Sequence, residues 1–451
     1  MSSTYKIKKG VNIGLVGESA KELGAAGSSE VYAVRPQDFH GLIPKMLVKE
    51  GAEVKAGTPL FYDKSNERIK FSSPVSGEVV EVLRGEKRRI LAVKVLADKQ
   101  NSFEEFGPIN LSAAKRDTLI DSILNAGLWP LIKQRPFDVI ANPADHPKAI
   151  FISGFDSSPL APDSDFVIKG KEDLFQAGID GLNVIADGKP VHLNLRKGSS
   201  ALKGMKNAQI SEFSGPHPAG NVGVQIHQIS PLNKGESIWT VAAQDVINLG
   251  RFFKTGKHEL KKTIALTGSE VNSPKYFEIT PGVMVKAITK GNVKEGNIRI
   301  ISGNVLTGST SSEDDFLGYY DTQITVIPEG NEPKFLLTKG WLGPGLDKFS
   351  ISHAFPTWLL PKKKYKLDTN PNGELRAYVV TGQYEKVFPF DIYPVQLVKS
   401  ILVNDIEQME NLGIYEVAPE DFALCEYACT SKIQVQQIVR EGLDNLLAEF
   451  K

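Results

Sequence analysis

Short β-branched segments cut by glycine fill the chain from residue 5 to about 97, as in "GLIPKMLVKEGAEVKAGTPLF" and "GEVVEVLRGEKRRILAVKV". Glycine and proline interrupt each segment too soon for a helix to propagate, so this stretch is restricted to strands and tight turns. A small all-β unit over 1–105 is the expectation. The pattern then changes. "LSAAKRDTLIDSILNAG" sets Leu119, Ile120, Ile123 and Leu124 on one helical face and stops at Gly127.

From 106 to 260 apolar strands such as "AIFISGF" alternate with helical stretches such as "KEDLFQAGIDG" and "AAQDVINLGRFFKTG", which predicts an α/β layer domain. "HPAGNVGVQIHQI" reads as a glycine-punctuated loop. Residues 261–330 return to β with one short helix. The region 331–451 ends in two stretches of helical spacing, "PVQLVKSILVNDIEQMENLG" and "KIQVQQIVREGLDNLLAEF". The 53 basic and 53 acidic residues cancel, so no global field favours nucleic acid. No apolar run reaches the roughly 20 residues of a spanning helix, and "MSSTYKIKKG" lacks a signal-peptide core, so a cytosolic location is expected. Two cysteines, Cys425 and Cys429, cannot hold a four-cysteine iron–sulfur cluster and read as buried small hydrophobes. His217 and His227 read as hydrogen-bonded loop histidines, because no third metal ligand lies near them in sequence.

"LFYDKSNERIKFSSPVSGEVVEV" (60–82) resembles a biotin- or lipoate-carrying domain. Pro74 follows Lys64 by ten residues, a longer gap than carriers use, so a barrel-sandwich scaffold with Lys64 as an unmodified surface lysine is expected. "NAGLWPLIKQRPFDVI" (125–140) resembles the place where the complex I flavoprotein and the C subunit of the Rnf complex carry a glycine run that admits the flavin phosphate. Trp129, Pro130, Ile132, Lys133 and Arg135 stand there instead, which implies the same fold with the flavin site closed. "FSGPHPAGNVGVQIHQISP", "IWTVAAQDVINLG", "ISGNVLTG", "GQYEKVFPFDIYPVQLVKSILVNDIEQMENLG" and "EDFALCEYACTSK", in that order, are similar to the A subunit of the sodium-translocating NADH:quinone oxidoreductase. Thr430 and Ser431 depart from the Pro-Gly expected after Cys429.

That resemblance implies a barrel-sandwich domain, a degenerate flavin-type α/β domain, a β-grasp module of the SLBB kind and a helical C-terminus. It also implies a peripheral subunit on the cytoplasmic face of the inner membrane, partnered chiefly by the membrane-embedded B subunit. No covalent cofactor or metal is expected in this chain and no activity of the chain alone. Ubiquinone or menaquinone would be the substrate, with flavins and iron centres in partner subunits. The alternatives are a non-catalytic assembly scaffold and an Rnf-type electron-transfer subunit. A quinone ring needs an apolar wall and donors to its carbonyl oxygens. "EVYAVRPQDFHG" and "KQRPFDV" each set an Arg-Pro step beside an aromatic ring, so Tyr32, Arg35, Arg135 and Phe137 are the quinone-site candidates, and the same residues also read as anchored surface turns. "WLLPKKKYK" joins Trp358 to Lys362, Lys363 and Lys364, a candidate membrane or partner surface and equally a solvated loop.

Overall fold

The central sheet of the computed structural model, which describes residues 3–27, 29–331, 345–351, 353 and 355–449, has seven strands. Their order is Ser3–Lys6, Gln209–Ser214, Val191–Arg196, Ile150–Ser153, Ile238–Ala242, Ile132–Arg135 and Val139–Ile140. The first five are parallel and the last two form an antiparallel edge. From Ile150–Ser153 the chain winds outward to Val191–Arg196, and Ile238–Ala242 lies on the other side. The switch point of the sheet therefore falls between Ile150–Ser153 and Ile238–Ala242, where α/β sheets open a crevice at the carboxyl ends of their strands.

Helices Glu172–Ala186 and Ala243–Thr255 pack together beside this sheet. Their crossing is close because glycines meet backbone: a Cβ on Gly178 would lie 2.2 Å from the Val246 carbonyl oxygen, and one on Gly250 1.8 Å from that of Leu174. The contact fixes where the second helix begins, at the mouth of the switch point. The helix at Arg116–Asn125 buries Leu119, Ile120, Ile123 and Leu124, as its spacing predicts, and Gly127 follows with φ +67°. "HPAGNVGVQIHQI" differs from expectation: Val222–Ile229 is a helix.

Two small sheets form the barrel sandwich, one of Val31–Val34, Ile90–Ala97, Gly77–Arg84 and Glu53–Val54, the other of Pro44–Met46, Pro59–Asp63 and Asn66–Ser72. Lys64 is exposed in the turn between the last two strands. The β-grasp module is a mixed sheet of Ser309–Ser311, Ile298–Ser302, Gln323–Pro328, Lys262–Thr267 and Lys275–Ile279, with the helix Lys286–Thr289. The first 24 residues are not confined to the barrel sandwich. Ser3–Lys6 edges the central sheet and Ala20–Gly24 edges the β-grasp sheet, tying three units through one short segment. Helices Pro394–Leu402, Ile406–Asn411 and Val435–Glu449 close the C-terminal region, whose core includes Phe422, Cys425 and Cys429. Residues 332–344 of the expected 331–451 unit lie outside the described residues.

No helix of the described residues is long and apolar enough to cross a membrane.

Candidate functional site

A cavity of about 310 Å³ opens at the switch point, a size within the range of small-molecule sites. Ser153, Gly154 and Phe155 leave one strand into it, and Thr240 to Ala242 leave the other. Helices Val222–Ile229 and Ala243–Thr255 both begin on its wall, and neither start is capped by a side chain. Their first N–H groups, at the positive ends of the helix dipoles, suit acceptor oxygens.

Of the bulky residues at 129–135, Trp129 turns into the core, where its indole N–H donates to the Ala141 carbonyl at 2.7 Å and its ring meets Trp239 edge to face. Ile132 and Arg135 are also buried. Leu131 and Lys133 reach the cavity wall, beside Asp138. Lys133 pairs with Asp138 at 2.8 Å and stands 5.1 Å from the ring centroid of Tyr320. Burial opposes the Asp138 charge, but Lys133 and then Arg135 outweigh it and hold the carboxyl well below the usual range. Phe137 (φ 77°) and Asp138 (φ 50°) are consecutive left-handed non-glycine residues. Such backbone costs about 1–3 kcal/mol per residue and collects at ligand clamps and active sites. Here the Lys133 pair and the Arg440 guanidinium, which donates to the Phe137 carbonyl at 2.6 Å, hold it in place.

Arg135 and Phe137 lie behind this wall. Arg135 is 1% exposed and contacts Glu420 at 2.6 Å, Asp421 at 3.3 Å and Asp138 at 3.7 Å. Burial works against its charge, yet the three carboxylates raise its pKa. Glu420 is pushed up by burial against the pull of Arg135, moderated by a side chain that is still 40% exposed; Asp421 moves the same way with no exposure at all. The Phe137 ring is buried in the C-terminal cluster, edge to face with Tyr415.

Tyr32 and Arg35 approach from the barrel sandwich. Tyr32 bridges to Val283 of the β-grasp module, and burial raises its hydroxyl pKa. Arg35 pairs with Asp38 at 2.9 Å, and Asp38 accepts the Tyr319 N–H at 3.1 Å. Tyr319 and Tyr320 thus join the two candidate segments: Arg35 and Asp38 hold one end, while at the other Lys133 stands over the Tyr320 ring and the Tyr320 hydroxyl donates to the nearby Pro130 carbonyl at 2.7 Å. Neither Tyr32 nor Arg35 lines the cavity.

Lys262 and Asp245 escaped sequence reasoning. Both are nearly fully buried on the wall, 3.5 Å apart, and the Lys262 ammonium donates to the Tyr319 carbonyl at 2.6 Å while facing the Tyr319 and Tyr320 rings. Burial raises the Asp245 pKa in spite of Lys262. A buried Lys–Asp pair 17 positions apart has no signature in a linear pattern. His217 is also on the wall and is 4% exposed. His227 bonds Glu416 at 2.7 Å and accepts the Asp391 N–H, hydrogen-bonded as expected but on the helix Val222–Ile229 rather than in a loop. Trp358 is 57% exposed, and Lys362, Lys363 and Lys364 are exposed beside it, with Lys364 paired to Glu18.

Family models match in chain order: the NqrA N-terminal barrel-sandwich hybrid domain over 5–98, the NqrA second alpha/beta domain over 114–258, and the NQRA C-terminal domain over 263–313. A solved chain of an NAD+-reducing [NiFe]-hydrogenase in the air-oxidized state is 12% identical, covering 78% of this chain and 67% of its own, with a TM-score of 0.38. The A subunit of the Na(+)-translocating NADH-quinone reductase from Marinomonas sp. (strain MWYL1) is 35% identical over 97% of this chain and 98% of the relative. The same subunit from Photorhabdus laumondii subsp. laumondii is 36% identical, and that from Neisseria meningitidis serogroup B 35%, each over 98% of this chain and 99% of the relative. Ordered domains and near-full-length identity together place the chain in the family of the A subunit of the Na(+)-translocating NADH-quinone reductase.

Proposed function

We propose that this subunit works at the quinone-reducing end of the sodium pump, on the cytoplasmic face of the membrane, with the switch-point cavity receiving the quinone ring. The observation that carries the reading is the cavity itself, whose wall includes Lys133 and Asp138 of the strained 133–138 segment. The site needs an apolar wall and neutral hydrogen-bonding groups, and Leu131, Phe155, Val241 and Tyr320 supply the former. In this reading Arg135 and Phe137 hold the segment in position, Arg35 through Asp38 braces Tyr319, the neighbour of the wall residue Tyr320, and Tyr32 ties the same barrel-sandwich segment to the β-grasp module at Val283. NADH oxidation and the flavin and iron centres belong to partner subunits. Trp358 with Lys362, Lys363 and Lys364 faces the membrane-embedded partner or the anionic headgroups beside it.

A photoreactive ubiquinone applied to the assembled complex tests this. Labels on 131–138, 153–156 or 240–245 are the expected result. Labels confined to other subunits would remove the quinone from this chain and leave it as an assembly scaffold.

A further inference from the structure

Glu420 lines the switch-point cavity with one carboxyl oxygen engaged and one open. Arg135 donates to Oε1 at 2.6 Å, Oε2 takes no hydrogen bond among the described residues, and the side chain is 40% exposed. The other carboxylates of the wall are held: Asp138 by Lys133 at 2.8 Å, the buried Asp245 by Lys262 at 3.5 Å, and Asp156 by the Ser158 N–H and hydroxyl at 2.7 and 2.9 Å.

Four carboxylates thus stand on the wall against two lysines, and behind it Arg135 is matched by Asp421. Fully ionised, the site carries negative charge in excess, and an electron added to an uncharged ring there raises it further. Gaining a proton with the electron removes that cost. Glu420 is placed to give one. Burial, opposed by Arg135 and reinforced by Asp421 and Asp138, pushes its pKa up to about 7, and its exposure moderates the rise. Lys133 also faces it and pulls the other way. From the start of the helix Val222–Ile229 comes the uncharged Asn221, whose amide donates to the Glu420 main-chain carbonyl at 3.3 Å.

We propose that Glu420 is the catalytic proton donor of the cavity, passing its carboxyl proton to one carbonyl oxygen of the quinone ring as that ring is reduced. This rests on the quinone reading of the cavity. NADH supplies two electrons through the partner subunits. The carboxyl O–H bond breaks as an O–H bond forms on the ring, the second ring oxygen takes its proton from water, and the product is the quinol. The carboxylate left behind keeps Arg135 as its counter-charge and is reprotonated from water on its exposed side.

The test uses the assembled complex with ubiquinone-1 as acceptor, and a photoreactive ubiquinone in parallel. Glu420→Gln keeps an acceptor for Arg135 and removes the transferable proton. It is expected to lower kcat about 100-fold with KM little changed and NADH-to-flavin transfer intact. The unsubstituted complex is expected to lose kcat as pH rises through about 7, where the donor gives up its proton to water, and Glu420→Gln to show no such fall. Glu420→Asp, which keeps the proton but draws it back by one methylene, is expected to lower kcat several-fold at unchanged KM, and it decides the matter should Glu420→Gln fail to assemble. Unchanged kcat in Glu420→Gln, or in Glu420→Asp where that variant decides, with wall residues still photolabelled, overturns the role of Glu420 and leaves the cavity reading intact. Absence of photolabel from the wall in the unsubstituted complex overturns both.

Discussion

Replacing Arg135 by Met should unlatch the C-terminal helices from the central sheet, by an amount that depends on pH. The guanidinium is 1% exposed and joins the sheet strand Ile132–Arg135 to Glu420 and Asp421. After its removal Asp138 keeps Lys133, and Glu420, 40% exposed, reaches water. Asp421, fully buried, keeps the Ala418 N–H at 2.9 Å as a donor and loses its counter-charge. Breaking a buried pair this way costs about 3–5 kcal/mol. Protonation limits the loss: neutralising a carboxyl of ordinary pKa about 3.9 costs about 4 kcal/mol at pH 7 but about 1.5 kcal/mol at pH 5. The expected penalty is therefore about 3–4 kcal/mol at pH 7, shrinking toward about 1.5 kcal/mol at pH 5, with Arg135→Met/Asp421→Asn recovering most of it. Native-state hydrogen exchange in the helix Val435–Glu449, whose Arg440 holds the Phe137 carbonyl, reads this directly. Exchange at pH 7 should accelerate roughly 10²- to 10³-fold. A penalty below about 1 kcal/mol, or one equal at the two pH values, would refute the latch.

Phe137→Ala should cost about 3–5 kcal/mol, since a ring 7% exposed leaves a cavity beside Tyr415; a denaturant midpoint unmoved from that of the parent chain contradicts this. His258, 1% exposed, donates from Nδ1 to the Ala126 carbonyl and has its pKa pushed by burial down to about 4. Its folded pKa lies below the unfolded value, so the unfolded chain takes the proton first as pH falls, and stability is full above about 6.5 and drains away toward 4. The slope should be up to about 1.4 kcal/mol per pH unit and should flatten by that much in His258→Gln. Lys262→Met strands Asp245 in the core and should cost about 3–5 kcal/mol, of which Asp245→Asn in the same chain restores a large part, measured by urea unfolding. The isolated chain should leave NADH unoxidised in a 340 nm assay, because its sequence carries no dinucleotide fingerprint; turnover would contradict the division of labour proposed above.

Local pattern carried much of the architecture. The apolar spacing of Leu119, Ile120, Ile123 and Leu124 gave a helix on its buried face, and the glycine-cut strands of 31–97 gave the barrel sandwich. Ordered motifs over the whole length pointed to the family. The helix Val222–Ile229 was hidden by Pro218, Gly220 and Gly223. Gly223 is there for contact: a Cβ on it would lie 2.6 Å from the Asp421 carboxylate, which no local rule foretells. Nor could β propensity tell which sheet Ser3–Lys6 or Ala20–Gly24 would join, since propensity describes a strand and is silent about its partner. The candidate site depended still more on tertiary structure. Sequence marked 133–139 and 30–41 as unusual, but Arg135 meets Asp421 across 286 positions, His217 meets Ser157 across 60, and Tyr319 joins Asp38 across 281. Periodicity is set by neighbours a few residues apart along the chain, whereas charge pairing and the hydrogen bonds of a buried imidazole are set by whichever strand ends the sheet order brings together, and that order is decided by packing the whole chain at once.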